Sequence, residues 1–405
     1  MYKIFDYHIF MSIVKVLLRK ITILGVAGCL LCACQSKSNE VPVVNVDLPS
    51  GVSELSLSDI LEDISIVPLE TPEGVLIENS PMTCVSDRYI VAANEQQIHL
   101  FDKTGKHLKM LMVQGRGPNE FFYLTSPYID EKRNILYYID GSKVHRINLP
   151  DGTFLEPLMA PLENVEFGTM DKEGYFYYFP TSGESVFSTE KNETTTIVYK
   201  FHPETGEIEP FSGSRSYIAD AVGSSMSHYK GKVSFFNFCY SDALFSLSGE
   251  RLTPQGYFSM QNRAQEVLSD GDELSLMFSF KGGHIMNMYR YTTNMVNQVY
   301  SRKRQFMGLY LFDREGIFTS LKKTYIDPLA LDIDATDRSK WLFSPIPQIS
   351  GNWGYIGIDA VYMIDLIEKA IEKNTLPAAQ IKKLEEILAK IDENSNPILI
   401  IGRVK

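Results

Sequence analysis

Cysteine is scarce, five among 405 residues, which is too few for a disulfide scaffold. Positive charge is also short: 39 Lys and Arg against 50 Asp and Glu leave a net charge of −11. A phosphate backbone needs a basic face, so nucleic acid is excluded as a partner. No apolar run is long enough for a transmembrane helix, the longest near the N-terminus being Ile21 to Ala33. Catalytic signatures are missing as well. The chain has no Gly-x-Ser-x-Gly elbow, no His-Glu-x-x-His helix and no P-loop. Its seven histidines are dispersed, without a close His/Asp/Glu set, so no metal, cofactor or catalytic residue is assigned. Disorder is excluded too, because 12% of the chain is aromatic and only 22% charged.

What is present begins with an address. Lys15, Arg19 and Lys20 precede the apolar run, which ends Leu31-Cys32-Ala33-Cys34 before polar Gln35 to Glu40. That order, basic then apolar then small, reads as a secretory signal over residues 1–33. Its end has the form of a bacterial lipobox, with Cys34 as the acylated residue; Val26-Ala27-Gly28-Cys29 also fits, less well. Translation from Met11 would leave the signal intact. Cleavage before Cys34 lowers the net charge from −11 to −14, since Lys3, Lys15, Arg19 and Lys20 leave with Asp6. Acyl chains would then have to hold so acidic a body at a membrane. The expected location is the outer membrane of the cell envelope, on either side. Cys84 and Cys239, in apolar strand-like contexts, read as buried single thiols.

Residues 34–58 are polar and lack a helical period, so they read as a tether. Beyond them short aromatic and β-branched runs alternate with turn residues, the pattern of an all-β chain. One hairpin turn recurs, with glycine at 105, 152, 206, 249 and 316. A second turn lies 18 residues earlier at Asp87, Asn134, Gly231 and Gln298, and 32 earlier at Gly174, where the insert Gly183 to Thr196 accounts for the excess. Two hairpins at fixed separation make a four-stranded antiparallel unit the size of a propeller blade. Five such blades are visible. A sixth is expected from residues 325–405, with strands near Trp341–Phe343 and Tyr355–Ile358. A helical excursion over 360–393 follows, then a closing strand over 397–404. The expected fold is therefore an all-β, six-bladed propeller over 59–405.

Ile64-Ser65-Ile66-Val67-Pro68-Leu69-Glu70-Thr71, Phe101-Asp102 with Gly105-Lys106, and Gln114-Gly115-Arg116-Gly117-Pro118-Asn119-Glu120-Phe121 carry a resemblance. Together with Asn396-Pro397-Ile398-Leu399-Ile400 they resemble the six-bladed β-propeller lipoproteins of Bacteroidetes, relatives of NHL-repeat and TolB-like propellers. Asn119 stands where those relatives usually carry glycine. The resemblance implies fold and export, and carries no catalytic residues.

Among local features, Asp327, Asp332, Asp334 and Asp337 offer oxygen ligands but lack the glycine and glutamate of a calcium loop. They read as a solvated loop, and so does Arg302-Lys303-Arg304. The rings of Tyr175 to Phe179 read as core between blades. The loop Gly115–Phe121 is the best binding candidate, with Arg116 and Glu120 its only charges; the pair either ties blades together or meets a ligand. The reading that follows is a binding module for a glycan or an envelope protein. The alternative is a propeller lyase or hydrolase with a metal at the central axis.

Overall fold

The computed structural model divides the chain into Met1–Val41 and Pro42–Lys405. It describes residues 41–405 apart from 47–49, 78–81, 95, 118, 122–126, 141–142, 160–164, 172, 181–193, 215–223, 230–231, 238–242, 249–250, 260–270, 281–282, 295–298, 312–316, 335–347 and 374. Cys29, Cys34, Cys239, the Trp341–Phe343 strand and Asp337 lie outside the described residues.

Six sheets follow one another along the chain. Blade one holds β4 (Met82–Val85), β5 (Tyr89–Ala93), β6 (Gln97–Asp102) and β7 (His107–Val113). Blade two holds β8 (Tyr128–Asp130), β9 (Ile135–Asp140), β10 (Lys143–Asn148) and β11 (Thr153–Met159). Blade three is β12 (Val165–Met170), β13 (Phe176–Pro180), β14 (Thr194–Phe201) and β15 (Ile208–Ser214). Blade four is β16 (Ser224–Tyr229), β17 (Lys232–Asn237), β18 (Ala243–Ser248) and β19 (Arg251–Ser259). Blade five is β20 (Gly271–Phe280), β21 (Gly283–Asn294), β22 (Val299–Leu311) and β23 (Ile317–Ile326). First strands β4 and β8, β12 and β16, and β16 and β20 lie side by side, and β20 and β4 both adjoin β25 (Gln348–Ser350), the first strand of blade six. The six blades form a propeller ring.

Blade six is composite. Its order is β25, β26 (Trp353–Ile358), β27 (Ile398–Val404) and β3 (Leu61–Pro68), so the C-terminal strand sits between its own hairpin partner and a strand from the chain's beginning. All five residues Ile398 to Gly402 are buried there. The closing strand thus joins the two ends of the described chain through backbone bonds on both edges, which leaves neither end of the ring with an open sheet edge at that seam.

The stretch expected as a tether is partly woven into the ring. β1 (Val43–Asn45) adds in parallel to the outer strand of blade four, and β2 (Val52–Ser56) adds in parallel to that of blade five. Outer strands offer unpaired backbone groups, and a polar, extended segment satisfies them as well as water does. A short helix, α1 (Leu57–Ile60), then leads into blade six.

Among the described residues, core side chains sit between neighbouring blades. Val91, Leu100 and Met112 of blade one pack with Ile129, Leu136 and Ile147 of blade two. Phe176 and Tyr178 of blade three meet Tyr137 and Val144 of blade two, with Tyr137 edge-on to Phe176 at 5.1 Å between centroids. Of the Tyr175–Phe179 aromatic run, Phe176, Tyr177 and Tyr178 are buried interblade core and Tyr175 packs against it, as expected. Cys84 is buried, and burial pushes its thiol well above the usual range, which leaves it unreactive.

Sequence expectations for blade five need correction. In blade five the first turn lies between Phe280 and Gly283, not at Gln298, because β21 and β22 run 12 and 13 residues. The 18-residue interval there was a coincidence of strand length. Arg302-Lys303-Arg304 lies within β22, paired with Tyr291, Arg290 and Tyr289, and is not a loop. The helical excursion is α2 (Ala360–Glu372) and α3 (Ala378–Leu388), between β26 and β27. Asp359 caps α2 by accepting the N–H groups of Val361 (2.9 Å) and Tyr362 (3.3 Å). Its buried face runs through Ala360, Met363 and Ile367 onto Ile356 and Leu384.

Candidate functional site

In a four-stranded antiparallel blade the first–second and third–fourth turns share one edge. The second–third turn and the link to the next blade share the other. On the first edge, aspartates end the inner strands of blades two and three. Asp130 Oδ1 accepts the N–H groups of Lys132 (3.0 Å) and Arg133 (3.2 Å), and Asp171 Oδ1 accepts those of Glu173 (3.0 Å) and Tyr175 (3.1 Å). Each is an Asx turn, which short side-chain carboxylates form readily. The second oxygens are engaged too, Asp130 Oδ2 by Arg133 and Asp171 Oδ2 by the Tyr177 hydroxyl at 2.9 Å.

Between these turns opens a cleft of about 280 Å³, lined by Asp130, Glu131, Asp171 and Glu173 with Gly351 and Asn352 of blade six. Blade six is a neighbour of neither blade two nor blade three in the ring. Turns from such blades can meet only over the axis, so this cleft is the axial mouth.

One indole organises its rim. Trp353 Nε1 donates to Asp87 Oδ1 and to Glu131 Oε1, each at 3.1 Å, and the Asp87 N–H donates to the same Glu131 oxygen at 3.1 Å. Lys103 Nζ stands 3.2 Å over the ring centroid and donates to the Ser86 carbonyl at 2.6 Å. Arg403 lies 4.8 Å from the same ring and pairs with Asp87 at 2.9 Å. A Trp face flanked by two cations is a strong cation–π arrangement. Burial pushes Lys103 down to about 8 against the pull of Asp87 and Glu131. Burial, then the neighbouring Asp87 charge, pushes Glu131 above the usual carboxylate range. Blades six, one and two are thereby fastened through a single side chain.

Away from the rim, the hydrogen-bonded side chains described on β4, β8, β12, β25 and β26 are uncharged. The Tyr355 hydroxyl donates to the Thr83 carbonyl at 2.7 Å and lies 2.7 Å from Gln348 Oε1. Ser350 Oγ bonds both N–H and carbonyl of Val85, at 2.8 and 2.9 Å. Tyr128 bonds Thr169, and burial pushes its phenol up to about 12. Among the described residues no three His, Cys, Asp or Glu side chains come together as a metal set. Asp327 accepts from Ser56 and Ser58, and Asp332 pairs with Lys323 at 2.8 Å. Asp332 and Asp334 lie on β24 (Leu331–Asp334), which pairs with β23, and not in the solvated loop expected.

The structure places Arg116 and Glu120 on the other edge, in the link from blade one to blade two, and not at the axial mouth. Gln114 bridges Phe121, with the Gly115 N–H donating to the Phe121 carbonyl at 2.9 Å. Glu120 folds back into the loop, where Oε2 accepts the Gly117 N–H at 2.7 Å. A Cβ at Gly115 would overlap that carboxylate, and one at Gly117 would stand 3.0 Å from its carbon. The glycines are therefore explained by the seat of Glu120. Arg116 is exposed on the loop so formed.

Sequence reasoning missed the Trp353 network. Its members lie up to 316 residues apart, and no local spacing announces them. The Asx turns were nearer to legibility, since Asp130 and Asp171 each end a strand just before a turn residue, Asn134 and Gly174.

Comparison with solved structures finds the same fold in a Bacteroides fragilis protein described as exported. It is 15% identical over 87% of this chain and 99% of its own, with a TM-score of 0.52. A member of the DUF4221 family from Bacteroides vulgatus is 12% identical over 85% of this chain and 98% of its own, at a TM-score of 0.46. No curated protein matches the chain. Residues 41–403 match the family model described as a domain of unknown function, DUF4934, and the chain belongs to that family.

Proposed function

We propose that this chain is an exported lipoprotein, anchored through Cys34 to the outer membrane, whose propeller is a binding module for a glycan or an envelope protein. The lipobox ending at Cys34 and the fold shared with a Bacteroides protein described as exported support the location. Kinship with NHL-repeat and TolB-like propellers belongs to the same proposal. The observation that carries binding is the axial mouth. Asp130 and Asp171 are spent on turns and Glu131 on the Trp353 clamp, so they shape a rigid polar rim. Below it stand hydroxyl and amide groups, the partners a neutral sugar or a backbone segment would use.

On the opposite edge Glu120 sets the loop that presents Arg116, which we assign as a further contact. Replacing both by Ala tests this. Loss of partner capture in an envelope pull-down, with an unchanged melting temperature, is the expected result. A fall in stability with capture intact would make the pair purely structural.

One observation favours the enzyme reading. Glu131 is pushed up and Lys103 down within one network at the mouth, the kind of opposed shift that acid–base sites show. Turnover of a polysaccharide by the wild type, lost on chelation or in Glu131→Gln, would replace binding with catalysis.

A further inference from the structure

A second cleft, of about 630 Å³, lies away from the axial mouth, where the ring closes. Three segments distant in sequence form it: the end of β3 with residues 69–71, the β6–β7 turn at Thr104 to Lys106, and Lys390 to Ser395 after α3. Its size is that of a small-molecule site.

The frame is fixed by hydrogen bonds. Fully buried Asn396 accepts the Ile77 N–H (2.7 Å), donates to the carbonyls of Glu70 (2.8 Å) and Val75 (3.1 Å), and its own N–H reaches Thr71 Oγ1 (2.7 Å). The Glu70 N–H donates to the Gly105 carbonyl at 2.8 Å, tying the first and second segments together. A site held this way needs little reorganisation on binding.

The charges inside it are unequal in freedom. Glu70 Oε2 accepts the His107 N–H at 2.7 Å, and Asp392 Oδ1 accepts the Asn394 N–H (2.8 Å) and the Ser395 hydroxyl (3.1 Å). Each carboxylate therefore has one oxygen engaged, Glu70 with backbone and Asp392 with backbone and the Ser395 hydroxyl. Lys106 and Lys390 line the same cleft and are exposed; among the described residues neither ammonium is hydrogen-bonded, though the Lys106 charge acts on Asp102. Ile66, Pro68 and Leu69 supply an apolar wall.

We infer that this cleft binds a small hydroxyl-rich ligand carrying one carboxylate, a uronic acid or comparable acidic sugar. The two exposed ammonium groups take the carboxylate. The side-chain amide of Asn394 faces the ring hydroxyls, the Thr104 oxygen, whose proton goes to Asp102 Oδ1 at 2.7 Å, accepts from one of them, and the apolar wall takes the C–H face. A doubly charged phosphate meets Glu70 and Asp392 as well, and the acidic body slows any long polyanion. The site is separate from the axial mouth, and neither reading rests on the other. Because all three segments come together only in the closed ring, occupancy raises the melting temperature by mass action.

The test is thermal unfolding of the full-length protein in detergent with methyl glucuronide, methyl glucoside or inorganic phosphate. Glucuronide is expected to raise the melting temperature of the wild type and of a control pair, Lys382→Gln with Lys383→Gln, which carries the same change in net charge. Lys106→Gln with Lys390→Gln should need at least about tenfold more glucuronide for the same rise, a loss of about 1.4 kcal/mol. Glucoside and phosphate should act more weakly on the wild type. Equal response of the Lys106/Lys390 variant, phosphate matching glucuronide, or no response to any of the three overturns the inference.

Discussion

Gly105 and Gly206 occupy the same place in blades one and three, the third–fourth turn, with φ of +90° and +73°. Their surroundings differ. A Cβ on Gly105 would overlap the Pro68 carbonyl oxygen and stand 2.9 Å from Val67 Cγ1, whereas one on Gly206 would meet nothing within 4 Å. Both substitutions to Ala incur the left-handed backbone cost of about 1–2 kcal/mol. Gly105→Ala adds overpacking of roughly 1–3 kcal/mol at a seam whose backbone cannot retreat without breaking the Glu70–Gly105 bond. Gly206→Ala should thus lose about 1–2 kcal/mol and Gly105→Ala about 2–5. Urea unfolding of the two variants beside the wild type measures the difference. Equal losses, or a Gly105→Ala protein within about 0.5 kcal/mol of wild type, would refute the argument that this turn is wedged against the closing blade.

Three further expectations follow from the same contacts. His99 is buried, with Nε2 donating to Gln97 Oε1 at 2.9 Å, and burial followed by the His107 charge lowers it to about 4. The unfolded chain takes up that proton near pH 6.5 and the folded one does not, so stability should fall between about pH 6.5 and 4, by at most about 3 kcal/mol. Denaturant titrations at stepped pH should show the fall, and His99→Gln should flatten it. Glu131 has the opposite sign, since its raised value means that the charged form costs stability above its titration range. Glu131→Gln keeps the acceptor for Trp353 and should raise stability at pH 7; a loss of stability would show the charge to be structural. Cys34→Ala should move the protein from the membrane fraction to the soluble one, and a variant that stays acylated and bound points to Cys29.

How much of this was legible in the sequence depends on whether the feature is local. The hairpin glycines 105, 152 and 206 each need a positive φ, and that need is written at the position itself. Their repetition revealed the blades. It failed in blade five, where β21 and β22 lengthened and an unrelated turn fell at the expected interval. The edge strands β1 and β2 were hidden because parallel addition to an outer strand asks only for an extended backbone, with no periodic side-chain signature. The axial mouth was hidden for a different reason. Trp353, Lys103, Asp87, Glu131 and Arg403 come from three blades, and only ring closure brings them together. The Gly115–Phe121 loop was found by its shape residues. Its two glycines turn out to make room for Glu120, a purpose internal to the loop.

The central claim is recognition without chemistry at the axial mouth. It is tested most directly by incubating the purified full-length protein with a panel of envelope polysaccharides, with and without a chelator, while following retention and product release together. The account predicts retention of at least one polysaccharide, or capture of an envelope protein that competes with it, weakened by Asn352→Arg at the mouth and unaffected by chelation. Release of shortened or unsaturated product that stops on chelation would contradict it.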